Sequence, residues 1–274
     1  MKNELIVVRG GGDIATGTIY KLIKCGYDVL VLETDRPSAI RRNAAFSEAV
    51  YEGSWKVEDV TARLAENLEE AKEIMAAGNV AVMIDPFCRV LKQIKAAALV
   101  DGILAKKNLG TNPAMAPVTI ALGPGFTAGE DVDAVIETMR GHQLGRVILK
   151  GSAIPNTGIP GNVGGVTKER VIYSPAEGIL KNVRRITDTV EKGEVIAYVE
   201  TTEGKVEISA SISGLLRGMI RDGYQVTKGF KIADIDPRIS EYENCFTISD
   251  KARCIAGGVL EAILYLQHQK KQKL

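Results

Sequence analysis

The sequence has only four cysteines, and none of them belongs to a Cys-x-x-Cys pair. Because Cys25, Cys88, Cys245 and Cys254 are scattered, the sequence indicates neither a disulfide framework nor a metal site. An excess of charge is also missing, since 35 lysine and arginine residues face 34 aspartate and glutamate residues. A balanced chain has no overall field that attracts nucleic acid or an anionic membrane, so neither is expected as a partner.

Long apolar runs are absent from the sequence too. The N-terminal residues 1–9 include a short apolar stretch, but neither a signal-peptide core nor a run that would span a bilayer. We therefore expect a cytoplasmic protein. Histidine is scarce as well, because His142 and His268 are the only two in the sequence. This scarcity disfavours an oxidoreductase, which needs a proton donor beside its substrate.

What the N-terminal part does contain predicts a strand, a glycine turn and a helix. Leu5-Ile6-Val7-Val8 is typical of a parallel strand that is buried on both faces. The Gly10-x-Gly12-x-x-Ala15 spacing that follows permits a tight turn and a close approach of the backbone to a ligand. A helix from Ile14 to Lys24 is expected next, and its first N–H groups point at whatever anion occupies the turn.

A second predicted strand, Val29 to Leu32, ends in Glu33. The acid lies about twenty residues beyond the glycines, where dinucleotide-binding folds place an acid for ribose hydroxyls. The alternative is that the glycines form only a turn and that Glu33 is an ordinary acid at a strand end. The sequence thus predicts Rossmann geometry and leaves the ligand open.

Alternating strands and helices continue to residue 149 and predict a parallel sheet. The expected elements are an amphipathic stretch over 60–77, strands over 80–85, 99–104, 118–122 and 146–149, and a helix over 131–140. Ligands of such sheets bind beyond the carboxyl ends of the strands. The candidate binding residues that follow these ends are Gly10, Gly11, Gly12, Asp13, Glu33, Asp85, Lys106, Lys107, Asn108, Thr111, Gly123 and Gly125.

Lys106 and Lys107 are the cationic members of this set. Their ammonium groups, together with the Thr111 hydroxyl and the Asn112 amide, are suited to phosphate. The alternative interpretation is a solvated turn with a lysine pair, and the sequence does not decide between the two.

An internal repeat marks the C-terminal part, beyond a segment over 153–166 that is rich in glycine and proline. Residues 174–200 match residues 210–236 at one constant offset. The matching pairs are Gly178 with Gly214, Leu180 with Leu216, Val190 with Val226, Lys192 with Lys228, Gly193 with Gly229, Ile196 with Ile232 and Ala197 with Ala233. The repeat predicts two interlocked four-stranded halves, and it resembles the biotinyl/lipoyl barrel-sandwich hybrid.

Carrier domains of that kind present a modified lysine on the hairpin between the halves. Here the hairpin residue Lys205 lies two positions out of register and has no methionine beside it. We therefore expect neither biotin nor lipoate, and the barrel is interpreted as a scaffold or a docking module.

A last helix is predicted after Ser249-Asp250, with an apolar stripe that includes Ile255, Val259 and Ile263. The stripe should cover the sheet or contact a second subunit, so a homodimer is expected. The predicted fold class is α/β. It consists of a Rossmann-like domain over 1–152, a biotinyl/lipoyl-like barrel over 166–238 and a C-terminal helical segment over 239–274 that packs back.

Five segments together resemble one family: residues 9–17, 105–108, 121–126, the joint over 151–165 and residues 249–253. The family is the YqeB-type accessory proteins of selenium-dependent molybdenum hydroxylases, and the resemblance extends over almost the whole chain. The Rossmann part is similar to XdhC-type insertion factors for molybdenum cofactor. The resemblance implies a maturation role, with a molybdopterin-type cofactor as ligand and the molybdenum hydroxylase and its other maturation proteins as partners. It implies no catalytic residue.

A weak candidate for chemistry is Cys88, which follows the third strand. A helix N-terminus and Arg89 would lower its pKa and populate the thiolate that selenium or sulfur transfer requires; the alternative is an inert buried thiol. Three functions stay open at this point. They are a maturation factor that binds a molybdopterin-type cofactor, an NAD(P)-dependent oxidoreductase that uses NAD at Gly10, Gly12 and Glu33, and a non-catalytic assembly adaptor.

Overall fold

The computed structural model describes residues 4–272, which form two units. The first unit contains the chain up to Pro37, Ala45–Thr157 and the chain from Ile248 onward, and the second contains Ser38–Ala44 and Gly158–Thr247. The two units differ from the three predicted domains in that residues 38–44 belong to the second unit. The last helix belongs to the first unit, as expected of a segment that packs back. Residues 1–3 of the predicted first domain and residues 273–274 of the predicted helical segment lie outside the described residues.

The first unit has eleven strands and four α-helices among the described residues. They are β1 (Leu5–Arg9), α1 (Asp13–Lys24), β2 (Asp28–Glu33), α2 (Ala49–Glu52), β3 (Ser54–Val57), β4 (Val60–Leu64), α3 (Leu68–Ala76), β5 (Val80–Ile84), β6 (Ala98–Asp101), β7 (Thr119–Leu122), β8 (Thr127–Ala128), β9 (Ala134–Ile136), β10 (Val147–Ile148), β11 (Gly151–Ser152) and α4 (Asp250–Lys271).

Nine of these strands form one sheet in the order β10-β9-β7-β6-β1-β2-β5-β4-β3. The seven central strands are parallel, while β10 and β3 are each antiparallel to their neighbour. The prediction of a parallel sheet is therefore wrong at both edges, and the sheet is mixed. Strands β1 and β2 are both buried almost throughout, as their continuous apolar runs require.

Two predicted elements differ in the structure. The amphipathic stretch over 60–77 divides into β4 and α3, and β3 turns into β4 at Glu58, whose φ of 55° is left-handed. The helix predicted over 131–140 is instead the short strand β9. Its flanking acids bond to the backbone, because Asp131 accepts from Thr127 N at 2.8 Å and Asp133 from Thr119 N at 2.8 Å. The bond of Asp131 is local and favours a turn over a helix, whereas the bond of Asp133 joins residues fourteen apart.

Helices α1 and α4 pack side by side against the sheet. A Cβ on Gly17 would lie 2.7 Å from Ala252 O, so only glycine permits this approach. The apolar residues Ile255, Val259 and Ile263 of α4 are fully buried in the core of the first unit. The apolar stripe that led us to expect a homodimer is thus buried within the chain itself, and the homodimer stays a prediction without that support.

The second unit contains eight strands in two antiparallel four-stranded sheets, ordered β12-β19-β17-β14 and β16-β15-β13-β18. Their bounds are β12 (Val171–Tyr173), β13 (Gly178–Asn182), β14 (Thr189–Val190), β15 (Val195–Thr201), β16 (Gly204–Ser209), β17 (Gly214–Met219), β18 (Gln225–Val226) and β19 (Lys231–Asp236).

The internal repeat is present in these strand pairs. Strand β13 pairs with β15 as β17 pairs with β19, and β14 and β18 exchange between the two sheets. Gly178 and Gly214 share a φ of 155°, and a Cβ on either one would collide with the carbonyl oxygen of Glu200 or Asp236, respectively. The same close approach occurs once in each half, which explains why both positions are glycine.

Among the described residues, no helix is long and apolar enough to cross a membrane. The cytoplasmic location stays a prediction.

Candidate functional site

The glycine turn after β1 lies at the carboxyl edge of the sheet, next to the start of α1. Gly10 has a φ of 85°, which favours glycine. Gly12 is the N-cap of α1, with an extended backbone and no side-chain cap. A Cβ on Gly12 would meet no atom within 4 Å. The first turn of α1 therefore begins beside open space, which is the condition that an anion at a helix N-terminus needs.

Glu33, predicted to bond to a ribose, instead bonds to the protein. Its Oε1 accepts from Gly11 N at 2.6 Å and its Oε2 accepts from Thr34 N at 2.9 Å. Burial raises the pKa of Glu33, and these two hydrogen bonds oppose that rise. The spacing in the sequence correctly placed the acid at the glycine turn, and the structure shows that it holds the turn in place.

A segment that the sequence analysis did not single out covers the same turn. Ser47 N donates to Gly11 O at 2.9 Å, and Phe46 N donates to Thr16 Oγ1 at 3.0 Å. A Cβ on Gly11 would lie only 3.0 Å from Ser47 N. Gly11 is thus required by this backbone contact rather than by a ligand.

A buried polar cluster lies where β1 and β6 end side by side. Arg9 donates to Thr111 Oγ1 at 2.6 Å and pairs with Asp101 at 3.3 Å, and Thr111 donates to Asp101 at 2.6 Å. All three side chains are buried. The predicted phosphate ligand Thr111 is therefore a member of this cluster. Arg9 and Asp101 were missed because nothing in the spacing of residues so far apart shows that they meet.

Arg9 also joins two loops of the carboxyl edge. Its Nη2 donates to Pro86 O at 2.9 Å, in the loop after β5, and to Leu109 O at 3.4 Å, in the loop after β6. The cluster consequently fixes the loops on both sides of the glycine turn.

The predicted lysine pair lies on the loop after β6. Lys106 and Lys107 are both exposed, and their backbone packs on Gly125, where a Cβ would lie 2.5 Å from Lys107 N. Asn108 shapes the loop, because its Oδ1 accepts from Gly110 N at 2.8 Å and from Thr111 N at 2.9 Å. Gly123 is needed for close packing on Thr138. Of these candidates, Lys106 and Lys107 are exposed, while Asn108 is half-buried.

Asp85 and Cys88 follow β5. Asp85 Oδ2 accepts from Val90 N at 2.8 Å and thereby holds the turn that contains Cys88. Burial raises the pKa of the Cys88 thiol to about 11, and the nearby Arg9 charge lowers it only in part. The expectation of a lowered pKa is wrong, because the thiol is buried away from water.

A half-buried lysine at the start of α4 completes the charged groups of this edge. Lys251 belongs to the first turn of α4, which Ser249 caps by accepting from Ala252 N at 3.2 Å. Burial lowers the pKa of Lys251, and the Arg140 charge lowers it further, while Asp13, Glu137 and Asp250 oppose the shift. Residues 249–253 contribute to the prediction only through a family resemblance, and no spacing in the sequence ties Lys251 to the glycine turn.

No group of three or more histidine, cysteine, aspartate or glutamate residues that could hold a metal ion occurs within residues 4–272.

No protein-family model matches the chain. A curated relative, the uncharacterized protein YqeB of Escherichia coli (strain K12), is 51% identical over 267 residues, which are 97% of this chain and 48% of the relative. The chain therefore spans about half the length of the curated relative that it matches.

Solved structures align with most of the chain at low similarity. The product-bound ectoine utilization protein EutE (DoeB) from Ruegeria pomeroyi is 11% identical, with 85% of each chain covered and a TM-score of 0.27. An aspartoacylase family protein from Mesorhizobium loti is 12% identical, with 86% of this chain and 85% of that chain covered and a TM-score of 0.27. A succinylglutamate desuccinylase/aspartoacylase from Rhodobacter sphaeroides is 12% identical, with 85% of each covered and a TM-score of 0.28. These scores are too low to transfer a fold or an activity.

These comparisons contradict the predicted family and function. The curated relative is described only as uncharacterized, so the prediction of a maturation factor for a selenium-dependent molybdenum hydroxylase is not borne out. The predicted fold class is wrong in its parallel sheet, which is mixed, and the comparisons give no support for a biotinyl/lipoyl barrel.

Proposed function

We propose that the first unit binds a small phosphate-bearing ligand of the nucleotide type, with a phosphate at the glycine turn. The observation that carries this proposal is the open space beside Gly12, at a helix start that no side chain caps. Backbone N–H groups and the helix dipole favour negative charge at such a position.

The loop after β6 adds positive charge to the same edge of the sheet. Strand β6 is the neighbour of β1, and Gly10 and Ile103 approach so closely that a Cβ on Gly10 would lie 3.1 Å from Ile103 Cα. Lys106 and Lys107 follow on this loop and are exposed. Exposed ammonium groups strengthen phosphate binding and make it sensitive to salt.

We propose binding rather than thiol chemistry as the role of this site. The one thiol that the sequence analysis offered, Cys88, is buried, and its pKa of about 11 keeps it protonated at neutral pH.

Calorimetric titration with ADP, NAD and inorganic pyrophosphate tests the proposal. Gly12→Val should abolish binding, because the side chain would fill the space that the phosphate needs. The variant should still fold, since the φ of Gly12 is −62° and its Cβ would meet no neighbour.

Lys106→Ala combined with Lys107→Ala should weaken binding and reduce its dependence on salt. The matched control is Lys72→Ala, which removes an exposed lysine of α3 that pairs with Glu69. The proposal fails if none of the three compounds binds wild type more tightly than it binds Gly12→Val.

A further inference from the structure

Helices α1 and α4 start at the same edge of the sheet. Gly17 of α1 contacts Ala252 of α4, and further along both helices Lys21 lies near Gly257. Because residue numbers increase together along the contact, the two helices run in the same direction. Asp13 lies one turn before Gly17, and Lys251 lies directly before Ala252. The packing therefore places the first turn of α4 beside the second turn of α1, one turn beyond the glycine turn, and the charge of Asp13 in the first turn of α1 acts on Lys251.

The start of α4 is held tightly in this place. A Cβ on Gly258 would collide with Gly145 O, and a Cβ on Gly145 would lie 2.8 Å from Cys254 O. Ser249 caps the helix, and Arg253 pairs with Glu58 at 2.5 Å. Asp250 and Arg253 of this turn form ion pairs, with Arg140 and Glu58 respectively, whereas the Lys251 side chain forms no ion pair with any residue that the structure describes.

Two of the three carboxylates near Lys251, those of Asp250 and Glu137, are bonded elsewhere. Asp250 takes two hydrogen bonds from Arg140, at 3.0 and 3.1 Å. Glu137 accepts from Met139 N at 2.7 Å and from Ile154 N at 2.8 Å. The charges of Asp13, Glu137 and Asp250 act on Lys251 through space, without a hydrogen bond to it. Burial removes part of the hydration of the Lys251 ammonium, so a direct hydrogen bond to an anion would stabilise its charged form.

We propose that Lys251 binds a phosphate group of the ligand and forms the α4 side of the site whose α1 side is Gly12. This inference rests on the proposed function and deepens it, because it assigns a half-buried cation to a site that otherwise consists of backbone N–H groups and exposed lysines. Arg140 is less suited to this role, since it is exposed and its guanidinium already holds Asp250.

The affinity for the anion then depends on whether the side-chain amine of Lys251 is protonated. The groups that set its pKa are burial and Arg140, which lower it, and Asp13, Glu137 and Asp250, which raise it. Affinity is highest where Lys251 is protonated and falls as the pH rises through its lowered pKa. An arginine at this position stays charged and removes that dependence.

The test is residue-specific acylation of lysines in the intact protein, with and without inorganic pyrophosphate, read by mass spectrometry. Pyrophosphate should slow the acylation of Lys251 by about tenfold, as expected for a charge-assisted hydrogen bond of about 1.5 kcal/mol. Lys72 is the internal control and should react at an unchanged rate. An unchanged rate at Lys251 overturns the inference.

Two variants give an independent readout by calorimetry with the same anion. Lys251→Met should weaken pyrophosphate binding by about tenfold or more, and Lys251→Arg should keep it but lose the fall at alkaline pH. Equal affinity of Lys251→Met and wild type at neutral pH also overturns the inference.

The outcomes separate the two proposals. If Gly12→Val abolishes binding but pyrophosphate leaves Lys251 unprotected, the inference is wrong and the proposed function stands. If pyrophosphate protects Lys251 while Gly12→Val binds every probe as wild type does, Lys251 binds an anion and the glycine turn does not.

Discussion

The Glu33 carboxylate accepts a hydrogen bond from the Gly11 amide at 2.6 Å and so joins the end of β2 to the turn after β1. A second bond, from Thr34 N at 2.9 Å, engages its other oxygen. An acid at this distance from a glycine turn was expected to bond to a ribose. The geometry shows that the Glu33 carboxylate instead stabilises the glycine turn, in which Gly12 lies beside open space.

Removing this acid should loosen the turn. Glu33→Ala leaves the buried Gly11 N–H without its acceptor, so the free energy of unfolding should fall by about 1–3 kcal/mol in urea denaturation at neutral pH. Glu73→Ala, on the exposed side of α3, is the control and should change it by less than about 0.5 kcal/mol. Equal effects of the two substitutions would show that the Glu33 bond does not stabilise the turn.

Two adjacent glycines of α4 should respond in opposite directions to alanine. A Cβ on Gly257 would meet only Lys21 Nζ, at 3.8 Å, so Gly257→Ala should raise the free energy of unfolding by about 0.5–1 kcal/mol through helix propensity. A Cβ on Gly258 would collide with Gly145 O, so Gly258→Ala should lower it by about 1–3 kcal/mol. Thermal and urea denaturation both measure this, and a stabilising Gly258→Ala would contradict the packing of α4.

The buried pair of Arg9 and Asp101 gives a third prediction. Arg9→Met leaves Asp101 buried without its cation and should cost about 3–5 kcal/mol. Arg9→Met combined with Asp101→Leu removes both charges and should recover part of that loss. A double-mutant cycle in urea measures the coupling, and strictly additive effects would mean that the two side chains do not act as a pair.

Cys88 should be unreactive at neutral pH and should destabilise the protein at alkaline pH. Because its pKa in the folded chain is raised to about 11, its contribution to stability is fully present below the pKa of an unfolded thiol and is lost as the pH rises through about 11. The loss should reach roughly 3 kcal/mol. Cys88→Ala should lack this part of the alkaline loss in denaturation curves.

Alkylation checks the same thiol directly. Exposed Cys25 and Cys254 should react with iodoacetamide well before buried Cys88 and Cys245. Fast alkylation of Cys88 in the folded protein would contradict its raised pKa.

The strands that the sequence predicted best are those whose local pattern agrees with their burial. Val7 and Leu30 belong to continuous apolar runs and lie in adjacent parallel strands of the sheet. The repeat could be recognised in the sequence because the same close approach to a carbonyl oxygen requires glycine at both Gly178 and Gly214. Strand β9 was predicted as a helix because the sequence does not show that Asp133, next to it, bonds to the backbone of Thr119 fourteen residues earlier.

The site was predictable only where it is local. The turn from Gly10 to Gly12 and the position of Glu33 follow from spacing along about one strand and one helix. The contact of Ser47 with Gly11, the bond of Arg9 to Thr111 and the placement of Lys251 depend on how separate elements pack. Lys251 in particular reaches the edge only because Gly17 lets α4 approach α1.

The central claim is that a phosphate binds where α1 begins, and amide NMR of the labelled protein during titration with ADP tests it most directly. The account predicts saturable shifts of the Gly12, Asp13 and Ile14 amide resonances, which disappear in Gly12→Val while the rest of the spectrum stays that of a folded protein. A titration in which these three resonances stay in place would contradict the account.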